Sequence, residues 1–288
     1  MASSSSSSSS QHFILIHGAC HGAWCWYKVK PLLEGAGHKV TAIDMAASGI
    51  DNRRIEELKT LEDYSEPLIN LMRSIPSDQK VVLVGHSLGG FNIALAAQKF
   101  PEKVSVLVFL AAFMPDFIHR PSYVLEKYNE RTPTESWEDT KFESYSSPSE
   151  NQLSMVFGPK YESYSNPSPS EDYMSMFFGP NFMSHKLYQL CSPQDLALGT
   201  ALLRPSSLFL TDLKQANNFS EERFGFVPRV YIACKEDKAI PIEYQRWMIE
   251  NFGGVNEVKE MEGVDHMAML SSPDDLCKCL FDIADKYA

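Results

Sequence analysis

The sequence predicts an α/β protein: a mostly parallel sheet with helices on both faces and a cap inserted between two of its strands. Three observations carry this. Short apolar, β-branched runs alternate with amphipathic stretches at helical spacing, the pattern of strands buried on both faces. The alternation breaks off over about residues 114–218, in a stretch rich in Ser, Pro, Tyr, Phe and Met. It then resumes with strand and helix in the same order, which makes the interruption an insertion rather than a second fold.

Taken in order, His12 to Ile16 is a buried strand meeting a turn at His17-Gly18. Trp24 to Ala36 has helical spacing, and Gly37 closes it. Lys39 to Ile43 is a second strand, Leu61 to Met72 an amphipathic helix, and Val81 to Val84 a fully apolar third strand. Leu88 to Phe100 reads as a helix stopped by Pro101, and Val104 to Leu110 as the fourth strand. Within the cap, helical stretches lie near Tyr123 and Pro193. Beyond it, Arg229 to Cys234 and Glu257 to Met261 are strands, while Ile242 to Asn251 and Pro273 to Tyr287 are helices.

Residues 1–11 read as a disordered serine-rich tail, and 12–288 as one domain. The tail has no apolar core, so it is no secretory signal, and it lacks the arginines of a transit peptide. No apolar run reaches membrane-spanning length. Net charge is −11, which disfavours nucleic acid and anionic membranes as partners. Six cysteines without a secretory signal read as reduced thiols in a cytoplasmic protein. No dinucleotide fingerprint, phosphate loop or zinc spacing occurs, so no cofactor and no metal is implied.

The cap contains an internal repeat. Phe142-Glu143-Ser144-Tyr145-Ser146-Ser147-Pro148 recurs as Tyr161-Glu162-Ser163-Tyr164-Ser165-Asn166-Pro167. Ser154-Met155-Val156-Phe157-Gly158-Pro159 recurs as Ser175-Met176-Phe177-Phe178-Gly179-Pro180. Two copies are too few for a solenoid, so a local tandem duplication is the simpler account.

The strongest chemical signal is Gly85-His86-Ser87-Leu88-Gly89, a G-x-S-x-G turn between a strand and a helix. That context is the nucleophile elbow of the α/β-hydrolase fold, which presents a serine hydroxyl above the sheet. A hydroxyl needs a base to take its proton. In this fold the base is a late histidine, and His266 is the one histidine beyond the last strand. The acid is expected just after the preceding strand, where Asp237 is better placed than Glu236; Asp116 is a reserve. Acyl transfer also needs two backbone donors for the oxyanion. Leu88 N–H, after the nucleophile, and Ala19 N–H, after the first strand, are expected to supply them. Cap residues Tyr123, Tyr128, Trp137, Phe142, Met155, Phe157, Met176, Phe177 and Phe178 are candidates for an apolar pocket over Ser87, with Met267 on its inner wall.

These motifs resemble the plant methylesterase family. The likeness rests on His17-Gly18-Ala19-Cys20-His21-Gly22-Ala23-Trp24, Gly85-His86-Ser87-Leu88-Gly89-Gly90, Tyr128-Asn129-Glu130-Arg131-Thr132-Pro133, Cys234-Lys235-Glu236-Asp237-Lys238 and Asp265-His266-Met267-Ala268-Met269-Leu270. It runs from about His12 to the C-terminus, except for the duplicated segment, and is strongest toward the salicylate-binding methyl salicylate esterases. The resemblance implies a cofactor-free carboxylesterase for methyl esters such as methyl salicylate, methyl jasmonate, methyl indole-3-acetate or alkaloid esters of the polyneuridine aldehyde type. It also implies that Ala19, Ser87, Leu88, Trp137, Phe142, His266 and Met267 contact a bound salicylate, and it allows a homodimer. Two rival functions come with it. Hydroxynitrile lyases of the family carry a threonine and a lysine where this chain has Gly18 and Met267. A non-catalytic receptor for the acid product would use the same pocket.

Overall fold

The computed structural model describes residues 10–145 and 173–288. Six parallel strands form one sheet: β1 (His12–Ile16), β2 (Lys39–Ile43), β3 (Val81–His86), β4 (Val104–Leu110), β7 (Arg229–Cys234) and β8 (Glu257–Met261). Their order is β2-β1-β3-β4-β7-β8. The central strands β3, β4 and β7 are buried at every residue. Edge strand β8 alternates, with Lys259 among its polar positions, because only one of its faces is covered.

Helices α1 (Val29–Gly35), α2 (Leu61–Ser74), α3 (Gly89–Lys99), α8 (Ile242–Phe252), α9 (Ala268–Ser271) and α10 (Pro273–Tyr287) accompany the sheet. Each fully buried side chain such as Phe13, Leu33, Phe91 or Leu280 contributes about 1.5–3 kcal/mol. Between β4 and β7 lie α4 (Tyr123–Arg131), the hairpin β5 (Lys141–Tyr145) and β6 (Tyr173–Phe177), α5 (Pro180–Phe182), α6 (Pro193–Leu202) and α7 (Leu210–Gln215). No described helix is long and apolar enough to cross a membrane.

Most strand limits agree with the sequence expectation, and two regions differ. The stretch Trp24–Ala36 is not one helix: a 3-10 turn at Ala23–Trp26 is followed by α1. Pro31 is the reason, since in a continuous helix its ring would strike the carbonyl of Tyr27. The hairpin was not expected. Its two strands come from different copies of the repeat: Phe142 of the first copy pairs with Met176 of the second. The link between them, residues 146–172, lies outside the described residues, and so do Met155 and Phe157.

Strand order places the site. From β1 the chain winds outward to β2, then returns to β3 and proceeds the other way. The loops after β1 and β3 therefore diverge and leave a crevice at their carboxyl ends, where ligands bind in open α/β sheets.

Candidate active site

Ser87 stands in this crevice between β3 and α3 with φ +54°, a left-handed angle that costs a non-glycine residue about 1–3 kcal/mol. Neighbouring backbone holds it there. Ser87 N–H donates to Leu110 C=O at 3.3 Å, and Ser87 C=O accepts from Gly90 and Phe113 N–H at 3.1 Å each. A Cβ on Gly85 would lie 2.5 Å from the Gly89 carbonyl, so glycine alone permits so tight a reversal.

Asp237 sits in the loop after β7 with its side chain fully buried. Its Oδ1 accepts from Ala239 and Ile240 N–H, both at 2.8 Å. Its Oδ2 lies 2.7 Å from His266 Nδ1 and 3.2 Å from Gln245 Nε2. A carboxylate oxygen only accepts, so His266 Nδ1 carries the proton and Nε2 is left as a bare acceptor. His266 and Ser87 line the same cavity; no hydrogen bond joins them among the described residues. Such contacts are often long before substrate arrives.

Ala19 and Leu88 also line this cavity, and neither N–H has an acceptor among the described residues. Two free donors beside a strained serine form a place for negative charge, and the positive end of α3 adds to it. The remaining walls are mostly apolar: Phe113, Tyr128, Trp137, Met176, Phe178, Phe182, Leu187, Leu208, Ala239 and Ile240. Aromatic rings brace one another there. Tyr128 meets Phe113 edge-on at 5.2 Å, and Trp137 stacks on Phe182 at 5.6 Å.

Several expected residues lie elsewhere. Phe142 is not in the lining; it stands edge-on to Trp137 at 5.3 Å and braces it. Met267 is also outside the lining and fully buried, its N–H donating to Asp265 Oδ1. The turn after His266 carries that side chain into the core. Tyr123 stacks on His119. Asp116 is occupied by its own turn, accepting from Ile118 and His119 N–H and from the His119 ring. Glu236 is occupied by the loop after β8, accepting from Val264 N–H at 2.8 Å.

Two neighbours of the site were not expected. His86 Nε2 lies 2.8 Å from the main-chain oxygen of His266, and its ring is 4.5 Å from the His266 ring. Burial, then the neighbouring His266, drive its pKa well below the ordinary value, so it stays neutral and donates through Nε2. Gln245 on α8 is fully buried and bonds Cys234 N–H and C=O, Ile240 C=O and Asp237. His86 occupies the variable position of the turn motif and Gln245 an ordinary helix position, so neither carried a sequence signal.

Comparison with known proteins agrees with this geometry. Residues 13–278 match the alpha/beta hydrolase family. The chain is 58% identical over 277 residues to salicylic acid-binding protein 2 of Nicotiana tabacum, covering 96% of this chain and 98% of that protein. It is 55% identical over 278 residues to methylesterase 1 of Arabidopsis thaliana, covering 96% and 97%. The chain belongs to the plant methylesterase family of α/β hydrolases. This methylesterase is also 49% identical to polyneuridine aldehyde esterase of Rauvolfia serpentina over 285 residues, 99% of this chain and 100% of that protein. A crystal structure of polyneuridine aldehyde esterase superposes with a TM-score of 0.85, covering 96% of this chain and 99% of the other. With relatives of this kind, the methylesterase is a carboxylic ester hydrolase.

Proposed function

We propose that the enzyme hydrolyses methyl esters of small, flat acids, methyl salicylate first among them, with Ser87 as nucleophile, His266 as base and Asp237 as its partner. The observation that carries this is the Asp237–His266 pair and the strained Ser87 around one cavity bearing two unused N–H donors. Ser87 Oγ attacks the ester carbonyl carbon while His266 Nε2 takes its proton. The oxyanion rests on Ala19 and Leu88 N–H. The C–O bond to methanol then breaks, and His266 returns the proton to the leaving oxygen. Water repeats the cycle on the acyl-enzyme, releasing the acid and restoring Ser87.

Cavity size and wall chemistry support the substrate class. The cavity is small and walled by the rings of Tyr128, Trp137, Phe178 and Phe182, which suits a small aromatic acid. Mostly apolar walls suit an uncharged ester better than its ionised product. A cyanohydrin lyase is a poorer reading, because among the described residues no lysine or arginine lines the cavity to stabilise departing cyanide. Similarity to polyneuridine aldehyde esterase favours alkaloid methyl esters as the second reading.

The test is a hydrolysis panel: methyl salicylate, methyl jasmonate, methyl indole-3-acetate, an alkaloid methyl ester and p-nitrophenyl acetate. Turnover of methyl salicylate that falls about 1,000- to 1,000,000-fold in Ser87→Ala supports the proposal. Near-normal turnover by Ser87→Ala sinks the nucleophile. Preference for the alkaloid ester replaces the substrate class and leaves the triad standing. Salicylate binding without any turnover would instead favour a receptor.

A further inference from the structure

Five consecutive cap residues line the cavity or touch the loops that carry Ala19, Asp237 and His266. Leu187 lines the cavity. The Tyr188 hydroxyl lies 2.7 Å from His21 Nε2, on the loop that bears Ala19. Gln189 Nε2 donates to the carbonyl of Glu236, next to Asp237, at 2.6 Å. Leu190 N–H donates to Asp265 Oδ2, next to His266, at 2.8 Å, and the Cys191 thiol faces the same carboxylate.

The Tyr188 contact has the most direct consequence. His21 is fully buried, and burial lowers its pKa to about 3, so the ring is neutral. Tyr188 donates to Nε2, which leaves the single ring proton on Nδ1. That Nδ1–H donates to the Ala19 carbonyl at 2.8 Å. The next residue, Cys20, has φ +61°, a strained angle for a side-chain-bearing residue. Few contacts are available to hold it: His21 N–H closes the turn onto the Gly18 carbonyl at 3.4 Å, Arg204 N–H reaches the Cys20 carbonyl at 3.1 Å, and the Cys20 thiol reaches Met176 C=O at 3.4 Å. The His21 ring bond is therefore one of four that keep the Ala19–Cys20 peptide turned so that Ala19 N–H remains unpaired at the cavity. The His21 ring is itself stacked between Trp24 and Tyr188, at 5.3 and 5.8 Å.

We propose that Tyr188 is a positioning residue: through His21 it fixes the oxyanion-binding turn at Ala19 and makes that turn depend on the seating of the cap segment Leu187–Cys191. The inference rests on the triad reading above, and Ser87→Ala tests that reading separately. The experiment uses the full-length enzyme and its Tyr188→Phe variant, with p-nitrophenyl acetate as substrate and two inhibitors of one shape. Trifluoroacetophenone accepts Ser87 Oγ at its carbonyl carbon, passes the serine proton to His266 and places an oxyanion at Ala19 and Leu88. The corresponding alcohol, 1-phenyl-2,2,2-trifluoroethanol, cannot be attacked.

Loss of one oxyanion donor typically costs 100- to 1,000-fold, so loosening it should lower acylation by about 10- to 100-fold. Trifluoroacetophenone should weaken by the same factor while the alcohol stays within about twofold. A variant in which ketone and alcohol weaken together would show a merely structural role and overturn the proposal, as would unchanged acylation. If Tyr188→Phe does not fold, His21→Phe keeps the stacked ring without either bond and must give the same split. Equal weakening of both inhibitors there overturns the proposal as well.

Discussion

Replacing Asp237 by asparagine is the sharpest test of the site, because all four groups around this carboxylate are donors. Ala239 and Ile240 N–H point at Oδ1, both at 2.8 Å, and two backbone donors there fix that position as the amide oxygen. The amide nitrogen must then take the place of Oδ2, facing His266 Nδ1 at 2.7 Å. An NH2 group can only donate there, so the imidazole must move its proton to Nε2. A protonated Nε2 cannot accept from Ser87, and the general base is lost although every heavy atom stays in place. Amide and Gln245 Nε2 would also meet donor to donor at about the present 3.2 Å, which adds to the mismatch. Removal of the equivalent carboxylate by this route costs about 10,000-fold elsewhere, or about 5.5 kcal/mol in the barrier. We expect kcat on the preferred ester at pH 7 to fall about 1,000- to 10,000-fold, with KM changed less than threefold. Asp116→Asn is the matched control, since Asp116 is also a buried carboxylate but serves only its turn and His119; its kcat should stay within about twofold. If Asp237→Asn kept more than a tenth of kcat, the tautomer argument and the assignment of Asp237 would both be wrong.

Three further outcomes follow from the same geometry. Gln245→Leu should lower stability by about 1–3 kcal/mol in denaturant melts, because it leaves the Cys234 N–H and the Ile240 carbonyl buried without partners. Acid should destabilise the fold below pH 6.5. Burial depresses the folded pKa of His21 to about 3 and, with the help of Lys39, that of His12 to about 4, so the unfolded chain binds protons that the folded one refuses. Stability from His21 is therefore complete above pH 6.5 and falls by up to about 1.4 kcal/mol per pH unit toward pH 3, and His21→Phe should flatten the pH dependence of the melting midpoint across this window. Deleting residues 149–169 removes one repeat length while sparing β5, β6 and every described lining residue, so it should leave kcat/KM within about threefold; a loss beyond tenfold would assign the extra copy a direct part in catalysis.

The sequence was most informative where one residue type has one physical use. Central strands such as Val104–Leu110 are apolar throughout because both faces are covered, and their limits agree with the structure to the residue. A strand-end turn, a short acidic loop and a late histidine pointed to Ser87, Asp237 and His266, and the structure pairs Asp237 with His266 and sets His266 beside Ser87 in one cavity. Long-range geometry was not legible. Whether Phe142 faces the cavity or stands behind Trp137 depends on which way the hairpin turns its faces, and Phe142 is polar-flanked on either reading. Met267 follows the base directly, yet the main chain turns into α9 and buries it. His86 and Gln245 act through main-chain oxygens and amides that no residue pattern marks.

The hairpin explains how a duplicated cap can coexist with an ordinary site. Its outgoing strand is the first copy of the repeat and its returning strand the second, paired in register from Lys141↔Phe177 to Tyr145↔Tyr173. Both ends of the hairpin are anchored. Ahead of β5, Asp139 accepts from Asn181 and Phe182 N–H, and Gly158 stands at the corresponding place before the second copy. Within β6, Met176 is bridged to Ser206, and after it Phe178 and Phe182 stack at 4.9 Å beside Trp137. In sequence, the additional length falls between the two strands, and none of the described lining residues belongs to it. Substrate choice on this account is set by Trp137, Met176, Phe178 and Leu187. Widening one of them, as in Phe178→Ala, should shift preference toward bulkier esters in the hydrolysis panel, whereas changes within the repeat connection should not.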